Sequence, residues 1–320
     1  MAHNCKRSED EPSTEPVFED KSRLTGAHRY PVKHLCIKTS NNEPATICPQ
    51  SGVCRQKKFE PVFFNNKPSQ LSWGQAKYHK HLDDVTPKNI RIDGVSFIYE
   101  HRHSLFHTYE EIFVREIYRF EAASANPLII DCGANIGLSI LYFKKIYPAA
   151  RVIGFEPDPH NFHLLQKNLL QNPTLNVSVD LIKKALWTNN NGISFQAEGS
   201  EGSKVNEQNT AGSTWVETQD LNELLEGFDY VDFLKVDIEG AENQVIPAAK
   251  DQLHKVKNMF LEYHGKTDQL NQLNRLLNLI GEMGFSVYMT TADDSIQQPF
   301  VQKHSKNNFD VQLNIFCFRP

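Results

Sequence analysis

The sequence predicts an α/β protein built on a doubly wound, mostly parallel sheet of about seven strands, with an antiparallel hairpin late in the chain and an irregular region before the sheet. Three observations predict it. From Tyr109 onward, short apolar runs alternate with segments of helical period, the pattern of strands joined by crossover helices. The last two apolar runs, Phe285–Thr290 and Val311–Phe318, have only a polar loop between them, so they pair antiparallel at one edge. Finally, 320 residues of which 39% are hydrophobic can fill a large core.

Taken in order, residues 1–25 are charged and rich in Pro and Ser. They are expected to form a disordered tail, because they cannot offset ordering entropy by burial. Residues 26–108 form an N-terminal extension of unknown role. Its one clear unit is Asn89–Ile92, Asp93-Gly94, Val95–Tyr99, where Asp-Gly between alternating runs signals a hairpin. The main domain, 109–320, opens with a helix over Tyr109–Glu121. Strands follow at Leu128–Cys132, Arg151–Phe155 and Val177–Ile182, separated by helices at Ile136–Tyr147 and His160–Leu170. Ile193–Gln196 and Thr214–Val216 flank a Gly/Ser-rich loop. A short helix, Leu221–Glu226, precedes the strand Phe233–Ile238, the helix Glu242–Lys250, the strand Met259–Tyr263 and the helix Asp268–Glu282.

A net charge of −5 argues against a strongly basic nucleic-acid binder. No run approaches the ~18 apolar residues of a membrane span. The first twenty residues are polar and acidic, unlike a secretory signal, so the expectation is a reducing cytoplasm. Cys132 and Cys317 lie in apolar runs and should be buried thiols. Cys36, Cys48 and Cys54 have His28 and His34 nearby, but five residues separate Cys48 from Cys54, wider than usual zinc spacing, and unpaired thiols are expected.

Ligands of such sheets bind outside the carboxyl ends of the strands, at the switch point. The first strand there ends Asp131-Cys132-Gly133-Ala134-Asn135-Ile136-Gly137. Gly133 permits a sharp turn and close approach, Gly137 lets the next helix sit close, and Asp131 can accept from an ammonium or pin the loop. The neighbouring strand ends in Glu156, about twenty residues on, where a carboxylate can hold both hydroxyls of a ribose. Dinucleotide binding requires a second glycine where Asn135 stands. A nucleoside cofactor with no phosphate there, S-adenosylmethionine, fits better. A third strand runs into Lys235, Asp237, Glu239 and Glu242, and a fourth into Glu262 and His264.

DCGANIG, FEPDPHNFHLLQKNL, LKVDIEGAE and LEYHG, in this order and spacing, resemble the FkbM family of S-adenosylmethionine-dependent methyltransferases over roughly Tyr109 to Pro320. The resemblance implies a Rossmann-like methyltransferase sheet and a small-molecule or glycan hydroxyl as acceptor. It implies that the loop of Asp131, Gly133, Ala134, Asn135 and Gly137 takes the methionine part of the cofactor, that Glu156 holds the ribose, and that Asp158 and Ala185 lie near adenine.

Methyl transfer to an alcohol needs alignment and a base. Asp237 and His264 are the candidates, with Glu239 and Lys235 completing the catalytic set. His264 has an ordinary pKa near ~6.5, whereas Asp237 needs desolvation to compete. Asp237, Glu239, Glu262 and His264 would suit Mg²⁺ or Mn²⁺, but Lys235 can balance their charge, and no metal is assigned. Loop Ala197–Ser213 is a solvated excursion or a lid. His79, His81, His101, His103 and His107 are expected at the surface or rim, and His101–Tyr118 as a cap on the pocket or a contact to the acceptor. The rival readings are a nucleotide-dependent oxidoreductase and a methyltransferase-like scaffold without turnover.

Overall fold

Asp93-Gly94 reverses the chain as expected. Strands β1 (Lys88–Ile92) and β2 (Val95–Tyr99) pair antiparallel with Ile92 opposite Val95, and Asp93 and Gly94 take φ of 52° and 82°, the signature of a two-residue hairpin turn. This is a computed structural model; it describes residues 86–196, 204–206, 214–292, 296, 298–302 and 309–320. The expected tail, the Cys36/Cys48/Cys54 group, His79, His81 and the 197–213 loop apart from 204–206 lie outside the described residues.

Helix α1 (Arg102–Tyr109) leads into a π-helical turn, Glu110–Val114. The expected helix Tyr109–Glu121 therefore starts earlier and stops earlier. Glu116, at φ 52°, breaks it, and Tyr118 and Phe120 then turn inward to stack among Phe143, Phe233 and Phe260. Their apolar spacing reflected a core segment rather than one helical face.

The alternation follows as β3 (Leu128–Cys132), α2 (Leu138–Ile146), β4 (Arg151–Phe155), α3 (Pro159–Gln171) and β5 (Val179–Ile182). Next come the short strands β6 (Ala185–Trp187), β7 (Ile193–Gln196), β8 (Lys204–Asn206), β9 (Thr214–Val216) and β10 (Thr218–Asp220). The chain continues through α4 (Leu221–Glu226), β11 (Val231–Val236), α5 (Glu242–Ala248), β12 (Val256–Gly265), α6 (Leu270–Glu282), β13 (Ser286–Thr291) and β14 (Val311–Phe318). Strand β7 pairs antiparallel with both β8 and β9, and β6 pairs parallel with β10. The β6–β10 pair was not anticipated; three residues are too few to show a period.

The central sheet has seven strands in the order β13-β14-β12-β11-β3-β4-β5. Only β14 runs antiparallel, between β12 and β13. The chain leaves β3 toward β4 and β5 and returns on the other side at β11. The connections that leave the carboxyl ends of β3 and β11 therefore part to opposite sides, opening a crevice at the switch point. Cys132 and Cys317 are buried free thiols, as expected.

The hairpin docks on α3 through two asparagines. The Asn168 amide accepts from Ile98 N and donates to the carbonyls of Ile98 and Ile136. One turn on, the Asn172 amide accepts from Ser96 N and donates to Ser96 O. A side-chain amide has the donor and acceptor of a peptide group, so two spaced i, i+4 imitate a pairing strand along the edge of β2. Among the described residues, no helix is long and apolar enough to cross a membrane.

Candidate active site

The turn after β3 is shaped by a close approach. A Cβ on Gly133 would lie 1.9 Å from the carbonyl oxygen of Asp237, so only glycine lets the β3 and β11 ends meet. The N–H groups of Gly133 and Ala134 both donate to Phe155 O at 3.0 and 2.8 Å. Asn135, at φ 47°, occupies the left-handed region that Asn tolerates better than most residues. Its N–H donates to Glu156 Oε2 at 2.8 Å, and Asp158 N donates to Oε1 at 2.9 Å. Glu156 thus ties both loops together while lining the cavity. Burial pushes its carboxyl up to about 7 against the pull of those two N–H groups. Asp158 caps α3, accepting from the N–H groups of His160 and Asn161.

Lys235 lies opposite Asp131 in the β11–β3 register. Its Nζ donates to Gly133 O at 2.7 Å and to Asp237 Oδ2 at 3.2 Å, and sits 3.3 Å from Asp131 Oδ1. Two of the ammonium's three donors are thus committed, while its charge also faces Asp131, whose Oδ1 accepts no hydrogen bond. Burial works against its charge, but Asp131 and Asp237 outweigh it and hold the pKa well above the ordinary lysine value. Asp131 also accepts from Ser139 Oγ and has no exposed surface.

At the end of β12, His264 Nδ1 meets Glu242 Oε1 at 3.2 Å, while Nε2 has Glu262 Oε1 at 3.6 Å and Glu239 Oε2 at 3.7 Å. The Glu242 carboxylate also receives the N–H groups of Ile238 and Gly240, fixing the turn between β11 and α5. Burial alone would lower the imidazole pKa; Glu242, Glu239 and Glu262 overcome it and raise it to about 10. Burial and the charge of Asp237 push the Glu262 carboxyl up to about 8. Glu239, like Asn135, sits at positive φ, 56°; strained non-glycine backbone is concentrated at functional sites.

A cavity of about 750 Å³ joins these pieces, within the size range of small-molecule sites. Gly133, Ala134, Asn135, Glu156, Asp158, Ala185, Lys235, Asp237, Glu239 and His264 all line it. Asp131 and Gly137 do not. Asp131 turns back to Ser139 and Lys235, so of its two expected roles the structure shows the pinning one. Gly137 gives way to Leu165, whose Cδ1 would lie 2.5 Å from a Cβ there. The sequence reading missed Glu100, Glu111 and His160. Glu100 and His160 pair across the rim at 2.7 Å. Glu111, in the π-helical turn, lines the cavity with its carboxyl raised by burial. The only advance signal was the segment His101–Tyr118 itself; His101, His103 and His107 are exposed lining residues at the rim.

Comparison with known proteins adds to this geometry. Residues 131–287 match the family model described as Methyltransferase FkbM domain. The chain is 27% identical over 242 residues to Methyltransferase sdnD of Sordaria araneosa, covering 65% of this chain and 92% of that protein. It is 26% identical over 159 residues to 2-O-methyltransferase NoeI of Sinorhizobium fredii, covering 43% and 63%. It is 27% identical over 150 residues to Hexuronic acid methyltransferase AglP of Haloferax volcanii, covering 46% and 60%. The last two matches span less than two thirds of either relative.

Proposed function

We propose, on the match of residues 131–287 to the methyltransferase FkbM domain model, that the chain moves a methyl group from S-adenosylmethionine to a hydroxyl of a sugar, glycolipid or other small molecule. The observation that carries this reading is where the loop amides point. Gly133, Ala134 and Asn135 spend their N–H groups on Phe155 O and Glu156. A pyrophosphate would need such groups for itself, so the loop favours a nucleoside cofactor over a dinucleotide. Glu156 retains lone pairs on both oxygens for a ribose diol.

When bound, S-adenosylmethionine supplies a methyl group on a sulfonium, whose departure needs no proton. Glu156, Asp158 and Ala185 line the cavity where the nucleoside would lie, with the Gly133–Asn135 loop beside its amino-acid tail. At the far end the acceptor hydroxyl meets Asp237, which takes its proton as the C–O bond forms and the C–S bond breaks. The products are the methyl ether and S-adenosylhomocysteine, and Asp237, 24% exposed, returns the proton to water. Lys235, clamped by Asp131, holds Asp237 in place. His264 was the other candidate base. Its carboxylate neighbours keep the ring charged near neutral pH, so in this arrangement it donates rather than accepts, and the base role falls to Asp237. The name of NoeI, a 2-O-methyltransferase, supports transfer to oxygen, and that of AglP, a hexuronic acid methyltransferase, supports a sugar-derived acceptor.

Calorimetry with S-adenosylmethionine, followed by labelled-methyl transfer to a panel of sugars and glycolipids, tests the reading. Glu156→Ala should lose cofactor binding, whereas Asp237→Asn should keep binding and lose turnover. Binding of a nicotinamide dinucleotide in place of S-adenosylmethionine would support the oxidoreductase instead. Cofactor binding with no transfer to any acceptor would support the scaffold.

A further inference from the structure

We propose that Asp237, Glu262 and His264 form a binding site for a divalent cation at the acceptor end of the cavity. One ligand atom from each lies within 4.8 Å of the others. Around an ion with ligands at ~2.1 Å, adjacent ligand atoms sit ~3.0 Å apart and opposite ones ~4.2 Å, so side-chain adjustment alone closes the site. The sheet builds this convergence. Val236 of β11 is in register with Leu261 of β12, which carries Asp237 and Glu262 side by side past the last pair. His264 follows Glu262 by two residues and so shares its face of β12.

His264 is oriented as a ligand would be. Glu242 engages Nδ1 and is itself fixed by backbone N–H groups. That leaves Nε2, on a side chain 2% exposed, facing carboxylate oxygens at 3.6 and 3.7 Å; an ion taking this nitrogen displaces the proton that the ring carries in the metal-free protein and releases it to solvent. Those separations exceed hydrogen-bond reach, and Glu262 Oε1, at 3.6 Å, lies between the adjacent and opposite ligand spacings of one ion. A carboxylate on the remote nitrogen is the common outer-sphere partner of a metal-bound imidazole. The charge balance points the same way. Asp131, Asp237, Glu239, Glu242 and Glu262 gather around Lys235 and His264, and the ammonium donates to Asp237 and Gly133 O and forms an ion pair with Asp131. The lysine's charge is thus directed chiefly at Asp131 and Asp237, and it lowers the Glu262 carboxyl less than burial and Asp237 raise it. Two oxygens and one nitrogen suit Mn²⁺ or a similar first-row ion better than Ca²⁺. With further positions open, such an ion would polarise an acceptor hydroxyl. That role rests on the proposed methyl transfer; the binding itself does not.

The test uses the full chain, stripped with chelator, dialysed and titrated with Mn²⁺ alone, with free Mn²⁺ read by electron paramagnetic resonance. One ion per chain, weakened about tenfold or more in both Asp237→Asn and Glu262→Gln and unchanged in the exposed control Glu282→Gln, supports the site. No saturable binding by the parent, or binding that survives either substitution, overturns it. Circular dichroism checks that each variant is folded, and His264→Gln replaces one that is not, under the same criterion. Calorimetry with S-adenosylmethionine in the absence of metal is run in parallel. Cofactor binding without an Mn²⁺ site removes only the metal, and Mn²⁺ binding without cofactor binding removes only the methyl-donor reading.

Discussion

Replacing Lys235 with Met keeps most of the side-chain volume and deletes its charge. The consequence differs for its two carboxylate partners. Asp237 has 24% of its side chain exposed and can turn to water. Asp131 has none exposed, and among the described residues its Oδ1 has only Lys235 within ion-pair distance. Removing one partner of a buried pair costs ~3–5 kcal/mol, because the other charge is left uncompensated. At roughly 2–4 °C per kcal/mol for a domain of this size, K235M should melt roughly 6–20 °C below the parent. The double variant D131N/K235M removes the stranded charge while leaving an oxygen for Ser139 Oγ, and should recover at least half of the loss. Thermal and urea unfolding of the parent, both single variants and the double variant close a cycle. A K235M protein within ~1 kcal/mol of the parent, or a double variant no more stable than K235M, would refute the idea that this ion pair anchors the strand ends.

Other expectations follow from single contacts. Gly133→Ala places a Cβ 1.9 Å from Asp237 O and should abolish cofactor binding by calorimetry. Gly94→Ala, with nothing within 4 Å of its Cβ, should cost only the ~1 kcal/mol of a left-handed alanine and leave binding intact. Asn168→Ala strands Ile98 N, Ile98 O and Ile136 O. It should lose about 2–4 kcal/mol, with faster hydrogen exchange at the Ile98 amide. Glu156 gives a pH dependence. Its folded pKa of about 7 exceeds the ordinary 4.5, so the native state binds this proton more tightly than the unfolded chain. The stability it confers is full below ~4.5 and fades as pH rises through ~7, about 3 kcal/mol in all. Subtracting the stability profile of Glu156→Gln from that of the parent should expose this decline; parallel profiles would contradict it.

Much of the architecture was legible because its signals are local. Hydrophobic period separates strand from helix within a few residues, and Asp93-Gly94 and Asn172-Pro173 mark a turn and a helix end by their own backbone preferences. The short strands β6 and β10 left no such signal, since three residues cannot display a period. Phe120 fell at helical spacing from Ile112, Phe113 and Ile117 because burial beside Phe233 selects the same residue types that a helix face does. Asn168 and Asn172 read as ordinary polar positions of α3; only the edge of β2 shows that their amides complete a ladder.

The sequence by itself determined the order of the central-sheet strands and the helices between them, the cradle residues between Gly133 and Glu156, and the acids and histidine that end β11 and β12. Each of these follows from the chemistry of a residue and its near neighbours. Tertiary structure alone decided which way the side chains face and what charge they hold. It turned Asp131 away from the cavity and onto Lys235, and it made His264 a cation by setting Glu242, Glu239 and Glu262 around it. Both outcomes depend on burial and on Coulomb interactions across strands far apart in the chain. Those terms vary with distance in space, a quantity that position along the sequence does not contain.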